Sequence, residues 1–398
     1  MKPISPTQRA MHLRWLREVA QLPTASGREE RVIAWIEHWL ADRPSLRLTR
    51  DAAGSMHIAR ADEPPGRPMY FTAHLDHPAF VVERIVAPDV VQCSFRGGVM
   101  DPYFVDAPIV IHDGAGATHR AALFGEPRTG EPDPRGRPDP FKHYMAELLH
   151  PTDAIRIGDV GVWDVGPSEI IEGLFHAPAC DDLAALAAAL AAYDVLLAAP
   201  AAQPARLLFT RAEEIGFVGA IGACRAGTMP RDSRVIALEN SRSFADSPIG
   251  GGPIVRVGDR LSIFTPRLTD AVARRAEEVA GGPAQVTATQ RAAEGPPWKW
   301  QRKLMAGGAC EASVFCAAGY EATCICLPLG NYHNMADLEA VQNGVPGASA
   351  KVAREIISVS DFEGLVDLLV ACGERLPEAA GIGERFEKLW TERAFVLG

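Results

Sequence analysis

No stretch of this chain reaches the roughly 20 uninterrupted apolar residues that a membrane-spanning helix requires. The longest apolar run, Leu183 to Pro200, is Ala-rich and broken by Tyr193 and Asp194, which is the pattern of a buried helix. The opening segment MKPISPTQRAMHLRWLREVA is charged and helical in pattern. It lacks the apolar centre and small-residue cleavage site of a signal peptide. No CxxC pair occurs among the eight cysteines, which are scattered through apolar runs and read as reduced core thiols. These absences predict a cytoplasmic protein with no membrane contact. A basic cluster is missing too. Asp and Glu outnumber Lys and Arg, 50 to 40, for a net charge of -10, which argues against a nucleic-acid partner.

What is present points to a layered α/β protein. At 398 residues the chain exceeds what one hydrophobic core usually serves, so two domains are expected. Residues 11 to 40 carry helical pattern broken at Pro23–Gly27, with Ser26 and Glu30 near the start of the second helix. There Val32, Ile33, Trp35, Ile36, Trp39 and Leu40 follow a 3.6-residue period. The run MYFTAHL (69–75) reads as a buried strand, and an αβ opening of this kind suggests a sheet with helices on both faces. From 82 to 171 short β-branched runs separated by Gly-rich turns predict an inserted β-rich domain, with a helix only at 141–149. Within it, 126–140 is rich in Pro, Gly and charge and reads as an exposed loop. Strands and helices alternate again from Asp182 onward, so 1–81 and 172–398 are expected to form one α/β domain around the insertion.

Several expected strand or loop ends carry carboxylates or histidines, where ligands collect in open α/β sheets. His74 and Asp76 close the run MYFTA, and strand alternation puts them on one side. A carboxylate there can hold one imidazole nitrogen while the other binds metal; the competing reading is an ordinary strand-end histidine. Asp181 and Asp182 precede the Ala-rich helix, where a helix cap is the plainer reading. Glu213 and Glu214 are adjacent acids after ARLLFT that would repel each other unless a cation lies between them. Glu239 follows the apolar VIAL, and His333 lies in LGNYHNM, positions that also suit a solvent-facing strand end and a loop histidine. As a set these residues match the donors of two adjacent zinc-like ions, with Zn, Co or Mn suited to imidazole and carboxylate. Such a pair activates a shared water, and a free carboxylate moves its proton, a role that falls to Glu213.

At this point the chain resembles the glutamyl and tetrahedral aminopeptidases of metallopeptidase family forty-two, within the co-catalytic zinc exopeptidases. The resemblance rests on PTASGREERV, AHLDHPAF, IRIGDVGVWD, PACDD, RAEEIGFVGA, ALENS, GGACEAS and NYHNM, whose order and gaps carry more than any one motif. It implies a mixed-sheet, three-layer zinc-exopeptidase domain interrupted by a small β-barrel-like domain used in assembly and access. One metal would be held by His74, Asp181 and Glu239 and a second by Asp181, Glu214 and His333. Glu213 would be the catalytic base and acid, Asp76 would orient His74, and the Asp181–Asp182 peptide would be cis. The implied function is hydrolysis of the N-terminal amide bond of small peptides by a homo-oligomer, often a dodecamer.

The chain departs from the family pattern at His77-Pro78-Ala79, Leu183, Cys310-Glu311 and Glu239, and Pro296–Lys303 matches it only loosely. His77 is open to a substrate, metal or packing role, and the role of Glu311 is also open. None of these changes removes a donor type. Two other functions stay in view: an amidohydrolase or deacylase acting on N-acyl amino acids or related small amides, and a non-catalytic binding protein on the same fold.

Overall fold

A computed structural model describes residues 3–132, 135–198, 203–284, 299–377 and 381–397. The expectation for 296–303 therefore falls partly outside the described residues, at 296–298. Two helices open the chain, α1 (Pro6–Val19) and α2 (Glu30–Ala41), followed by strands β1 (Leu46–Arg50), β2 (Met56–Arg60) and β3 (Met69–His74). The next six strands are β4 (Ala79–Ala87), β5 (Val90–Arg96), β6 (Pro108–His112), β7 (Thr118–Thr129), β8 (Lys142–Leu148) and β9 (Val160–Trp163). They close a barrel in the order β4-β5-β8-β7-β6-β9. Short strands β10 (Glu169–Ile171) and β11 (Leu174–Ala177) lead into α3 (Leu183–Leu197). Then come β12 (Ala205–Thr210), α4 (Val218–Ala226), β13 (Arg234–Arg242), β14 (Ile254–Asp259) and α5 (Pro266–Ala280). The chain continues through β15 (Gln301–Met305), α6 (Glu311–Ala317), β16 (Glu321–Leu329), α7 (Leu338–Gln342), β17 (Glu355–Ser358), α8 (Val359–Glu374) and α9 (Gly381–Arg393).

The main sheet has the order β1-β2-β12-β3-β13-β16-β14-β15. Its four central strands, β12, β3, β13 and β16, run parallel, and β3 is buried at every position. Parallel strands need crossovers, and these cover both faces with helices, so the strands read as continuous apolar runs. Side chains alternate between the two covers. Phe71, Leu207, Phe209 and Ile236 join α1, α2, α3, α5 and α8 in one core, while Tyr70, Leu208 and Val235 meet α4 and α6 in another. Helix α3 is buried from Leu183 through Tyr193, because it lies between the sheet and the helices α1 and α8. Its alanines permit that close approach, and its lack of a polar face is what an enclosed helix shows.

Two expectations inside the insertion need correction. The segment expected as a helix at 141–149 is strand β8. Tyr144, Ala146 and Leu148 are buried at a period of two and face the barrel core, where Phe104 stacks on Tyr144 at 4.3 Å. Pairing with β5 and β7 outweighs the local helical tendency of FKHYMAELL. The expected loop at 126–140 begins later, because β7 continues through a register shift to Thr129. Ala79 already belongs to barrel strand β4. Strand β10 lies outside the barrel, in a three-stranded sheet of order β10-β11-β17.

Candidate metal centre

The carboxyl ends of the parallel strands bring the candidate residues together. His74 is the last residue of β3 and pairs with Thr210, the last of β12, so Glu213 and Glu214 follow on the adjacent strand end. Glu239 lies in β13, and His333 follows β16 by four residues. Asp181 and Asp182 stand just before α3, and the peptide bond between them is cis. His74, Asp181, Glu213, Glu239 and His333 are all buried.

Each imidazole is held by a backbone carbonyl on one nitrogen. His74 donates from Nδ1 to the carbonyl of Asp76 at 3.0 Å, and His333 from Nδ1 to that of Gly98, at the barrel, at 2.6 Å. The Nε2 atoms are thereby turned onto carboxylates. His74 Nε2 lies 3.5 Å from Asp181 Oδ1, 3.7 Å from Glu239 Oε1 and 3.9 Å from Glu213 Oε2. His333 Nε2 lies 3.4 Å from Asp181 Oδ2 and 3.5 Å from Glu214 Oε2. Asp181 thus presents one oxygen to each group.

These donors fit divalent cations better than they fit one another. The gaps exceed a normal hydrogen bond, and they suit donors arranged around an ion bonded at about 2.0–2.2 Å. Asp181 Oδ1 and Glu214 Oε1 are buried with no hydrogen-bond partner. His74, Asp181 and Glu214 offer atoms within 4.8 Å of one another, as do His74, Glu213 and Glu239.

Burial and mutual repulsion push the Glu213 and Glu214 carboxyls well above the usual range, and that of Glu239 up to about 7. Burial also opposes ionisation of Asp181, but the facing imidazoles of His333 and His74 outweigh it and hold this carboxyl low. Burial disfavours charge on His74 as well, yet Glu213, Asp181, Asp76 and Glu239 raise its basicity well above normal.

Asp76 does more than the sequence suggests. Its carboxylate lies 3.5 Å from His74 Nδ1. It also accepts the Ser26 hydroxyl at 2.5 Å and the N–H groups of Glu213 and Glu214 at 2.9 and 3.1 Å. Ser26, near the start of α2, is therefore a support of the centre. Glu29, the residue before α2, fixes the same turn by accepting Ala212 N–H at 3.0 Å and Arg211 Nε at 2.7 Å. Sequence reasoning missed Ser26 and Glu29 in these roles, and also Glu355, whose carboxylate accepts the N–H groups of Cys180, Asp181 and His333. Glu311, first in α6, is also buried, and burial raises its carboxyl to about 7.

The layered mixed sheet, the inserted barrel and this set of donors define a hydrolase of the metallopeptidase class. The chain belongs to the M42 glutamyl aminopeptidase family, whose model matches residues 54–345. No curated protein sequence matches it. An aminopeptidase from the archaeon Desulfurococcus kamchatkensis is similar in structure at 17% identity and TM-score 0.69, over 92% of this chain and 95% of that one. The TET aminopeptidase of a marine sediment thaumarchaeon reaches 0.70 at 17% identity, over 92% and 97%. For the TET1 peptidase of Pyrococcus horikoshii the TM-score is 0.70 at 18% identity, over 92% and 100%.

The three acceptor contacts of Asp76 generate a prediction about stability. Asp76→Asn replaces one accepting oxygen with an NH2 group that faces a donor. It should cost the metal-free protein about 1–3 kcal/mol, read by chemical denaturation. An unchanged unfolding midpoint would contradict the bonding described for Asp76.

Proposed function

We propose that this chain is a di-metal aminopeptidase that cleaves the first residue from short peptides and favours an acidic residue there. The observation that carries the di-metal reading is Asp181, with Oδ1 toward His74 and Oδ2 toward His333. His74, Asp181 and Glu239 would hold one ion, and Asp181, Glu214 and His333 the other. Donors of imidazole and carboxylate type, with no thiolate, suit zinc, and also cobalt or manganese. Two such ions, when bound, supply Lewis acidity at the scissile carbonyl and acidify the attacking water.

The chain's own residues do the rest. Glu213 is not needed in either donor set, and burial raises its carboxyl above the usual range, the direction that suits a group taking a proton from water and returning it to the leaving amine. Asp76 and Ser26 fix the backbone that presents it. Metal-stripped protein should regain aminopeptidase turnover with zinc, cobalt or manganese. Glu213→Gln should bind the same amount of metal yet lower kcat by about 10²–10⁴-fold. Turnover close to wild type in Glu213→Gln would remove this residue from the mechanism.

A cavity of about 190 Å³ is lined by Asp181, Glu213, Glu214 and Glu239 and by two arginines, Arg242 and Arg256. Arg256 on β14 is 2% exposed; it donates to Ser241 Oγ at 3.1 Å, and its Nε has no partner. A buried guanidinium that forms no ion pair among the described residues favours a ligand carboxylate. The cavity thus suits a substrate that offers an amine to the acids and a carboxylate to Arg256. Among aminoacyl amides, those of Glu and Asp should be cleaved best. Arg256→Met should lower kcat/KM for them by about 10–100-fold, the loss of a charged hydrogen bond, and leave Leu amides little changed. Preference for N-acylated amino acids over free amines in the same panel would shift the reading to a deacylase.

Assembly is the third element of the proposal. The P. horikoshii TET1 peptidase can assemble into a tetrahedron or a large octahedral shell. In this chain the insertion leaves Val105, Leu149 and Ile157 more than 60% exposed, apolar groups suited to contacts between copies. No helix among the described residues is long and apolar enough to cross a membrane, and the free cysteines fit a reducing, cytoplasmic setting. Mass photometry should show a closed homo-oligomer, with twelve chains as the expected count. Monomers alone at working concentration would contradict it.

A further inference from the structure

Two buried side chains outside the donor set grip its backbone. Glu355, first in β17, accepts the N–H groups of Cys180 at 2.6 Å and Asp181 at 2.9 Å through Oε2. Through Oε1 it accepts the N–H of His333 at 2.8 Å. His77, in the link between β3 and β4, reaches the same two segments by another route. Its Nδ1 donates to the Asp181 carbonyl at 2.5 Å, and its Nε2 lies 3.0 Å from Asn334 Oδ1. Asn334 is fixed in turn, because its Nδ2 donates to the carbonyls of Pro178 at 2.8 Å and Ala353 at 3.0 Å. Its Oδ1 is therefore the atom left to face the imidazole.

Asp181 is held at both backbone polar atoms, the N–H by Glu355 and the carbonyl by His77. Its carboxylate is left for the two groups at 3.5 and 3.4 Å. We propose that His77 is a positioning residue of the metal centre, tying the Asp181 carbonyl to the His333–Asn334 segment so that the shared carboxylate stays between the two donor sets. Any ring of similar size would serve a packing role. His77 instead places both ring nitrogens on oxygen atoms while only 3% exposed, and its ring stands edge-on to that of His333 at 6.3 Å. Direct ligation by His77 is disfavoured, because neither nitrogen is free to turn toward the donors. Asp181 is common to both sets, so a loosened Asp181 would weaken two ions at once.

This inference rests on the di-metal reading, and the test separates the two. Full-length wild type, His77→Asn and His77→Gln are stripped of metal and titrated with zinc against a chromophoric chelator. Visible spectra with cobalt and metal-free thermal midpoints accompany each titration. Asn carries its amide nitrogen near the position of Nδ1, and Gln near that of Nε2. Wild type should bind two ions per chain, and His77→Asn, which keeps the Asp181 end of the tether but not the Asn334 end, should bind about 10–100-fold more weakly. His77→Gln should bind about 10–100-fold more weakly with an altered cobalt spectrum, the usual range for lost outer support of a ligand. The metal-free midpoints of the two variants should be alike. Asn334→Ala cuts the far end of the tether and should show the same weakening as His77→Gln, should that variant not fold. Wild-type affinity in both His77→Gln and Asn334→Ala, or losses that track only the metal-free midpoint, would overturn the positioning role. Fewer than two ions on wild type would instead bring down the di-metal reading, and the positioning role with it.

Discussion

The structure depends on how it tolerates buried negative charge around Asp181. Asp181, Asp182, Glu213 and Glu239 are removed from water within reach of one another, with the Glu214 carboxylate beside them. A buried carboxylate is costly unless it is paired, protonated or bound to a cation. Two imidazoles cannot balance the set, and each has already given one nitrogen to a backbone carbonyl. The chain responds with a second layer of fixed acceptors, Asp76, Glu29 and Glu355, whose oxygens are taken up by N–H groups. That layer positions the inner carboxylates without neutralising them. Strong preorganisation around unbalanced charge is what a cation site looks like from the protein side.

The fold supplies this arrangement economically. Parallel strands end at one edge of the sheet, so His74, the Glu213–Glu214 turn, Glu239 and the loop of His333 converge without long-range distortion. The barrel takes part as well. Gly98 in the β5–β6 connection accepts from His333, and Tyr103 packs with Met335 and Leu338 beside the cavity. The insertion is thus tied to the centre.

How much of this is legible in the sequence varies by residue. His74, Glu213, Glu239 and His333 stand out because each interrupts or ends an apolar run, and a carboxylate or imidazole there needs a reason. The family resemblance adds Asp181 as the shared donor, where local pattern alone favours a helix cap. The helical reading of 141–149 fails because FKHYMAELL carries both periods, and pairing with β5 and β7 decides between them. Glu355 is invisible for a different reason. It lies far along the chain from Asp181, and nothing in REIIS says which backbone its oxygens will meet. His77 stands out as a departure from the family pattern, but its partners lie 104 and 257 residues away, so its role cannot be read from spacing.

The central claim is that Asp181 is shared between two ions. Anomalous diffraction at the zinc edge, from crystals of zinc-loaded protein, addresses it directly. The account predicts two peaks, one among His74, Asp181 and Glu239 and the other among Asp181, Glu214 and His333, with the Asp181 carboxylate between them. A single peak, or two peaks of which only one touches Asp181, would contradict it.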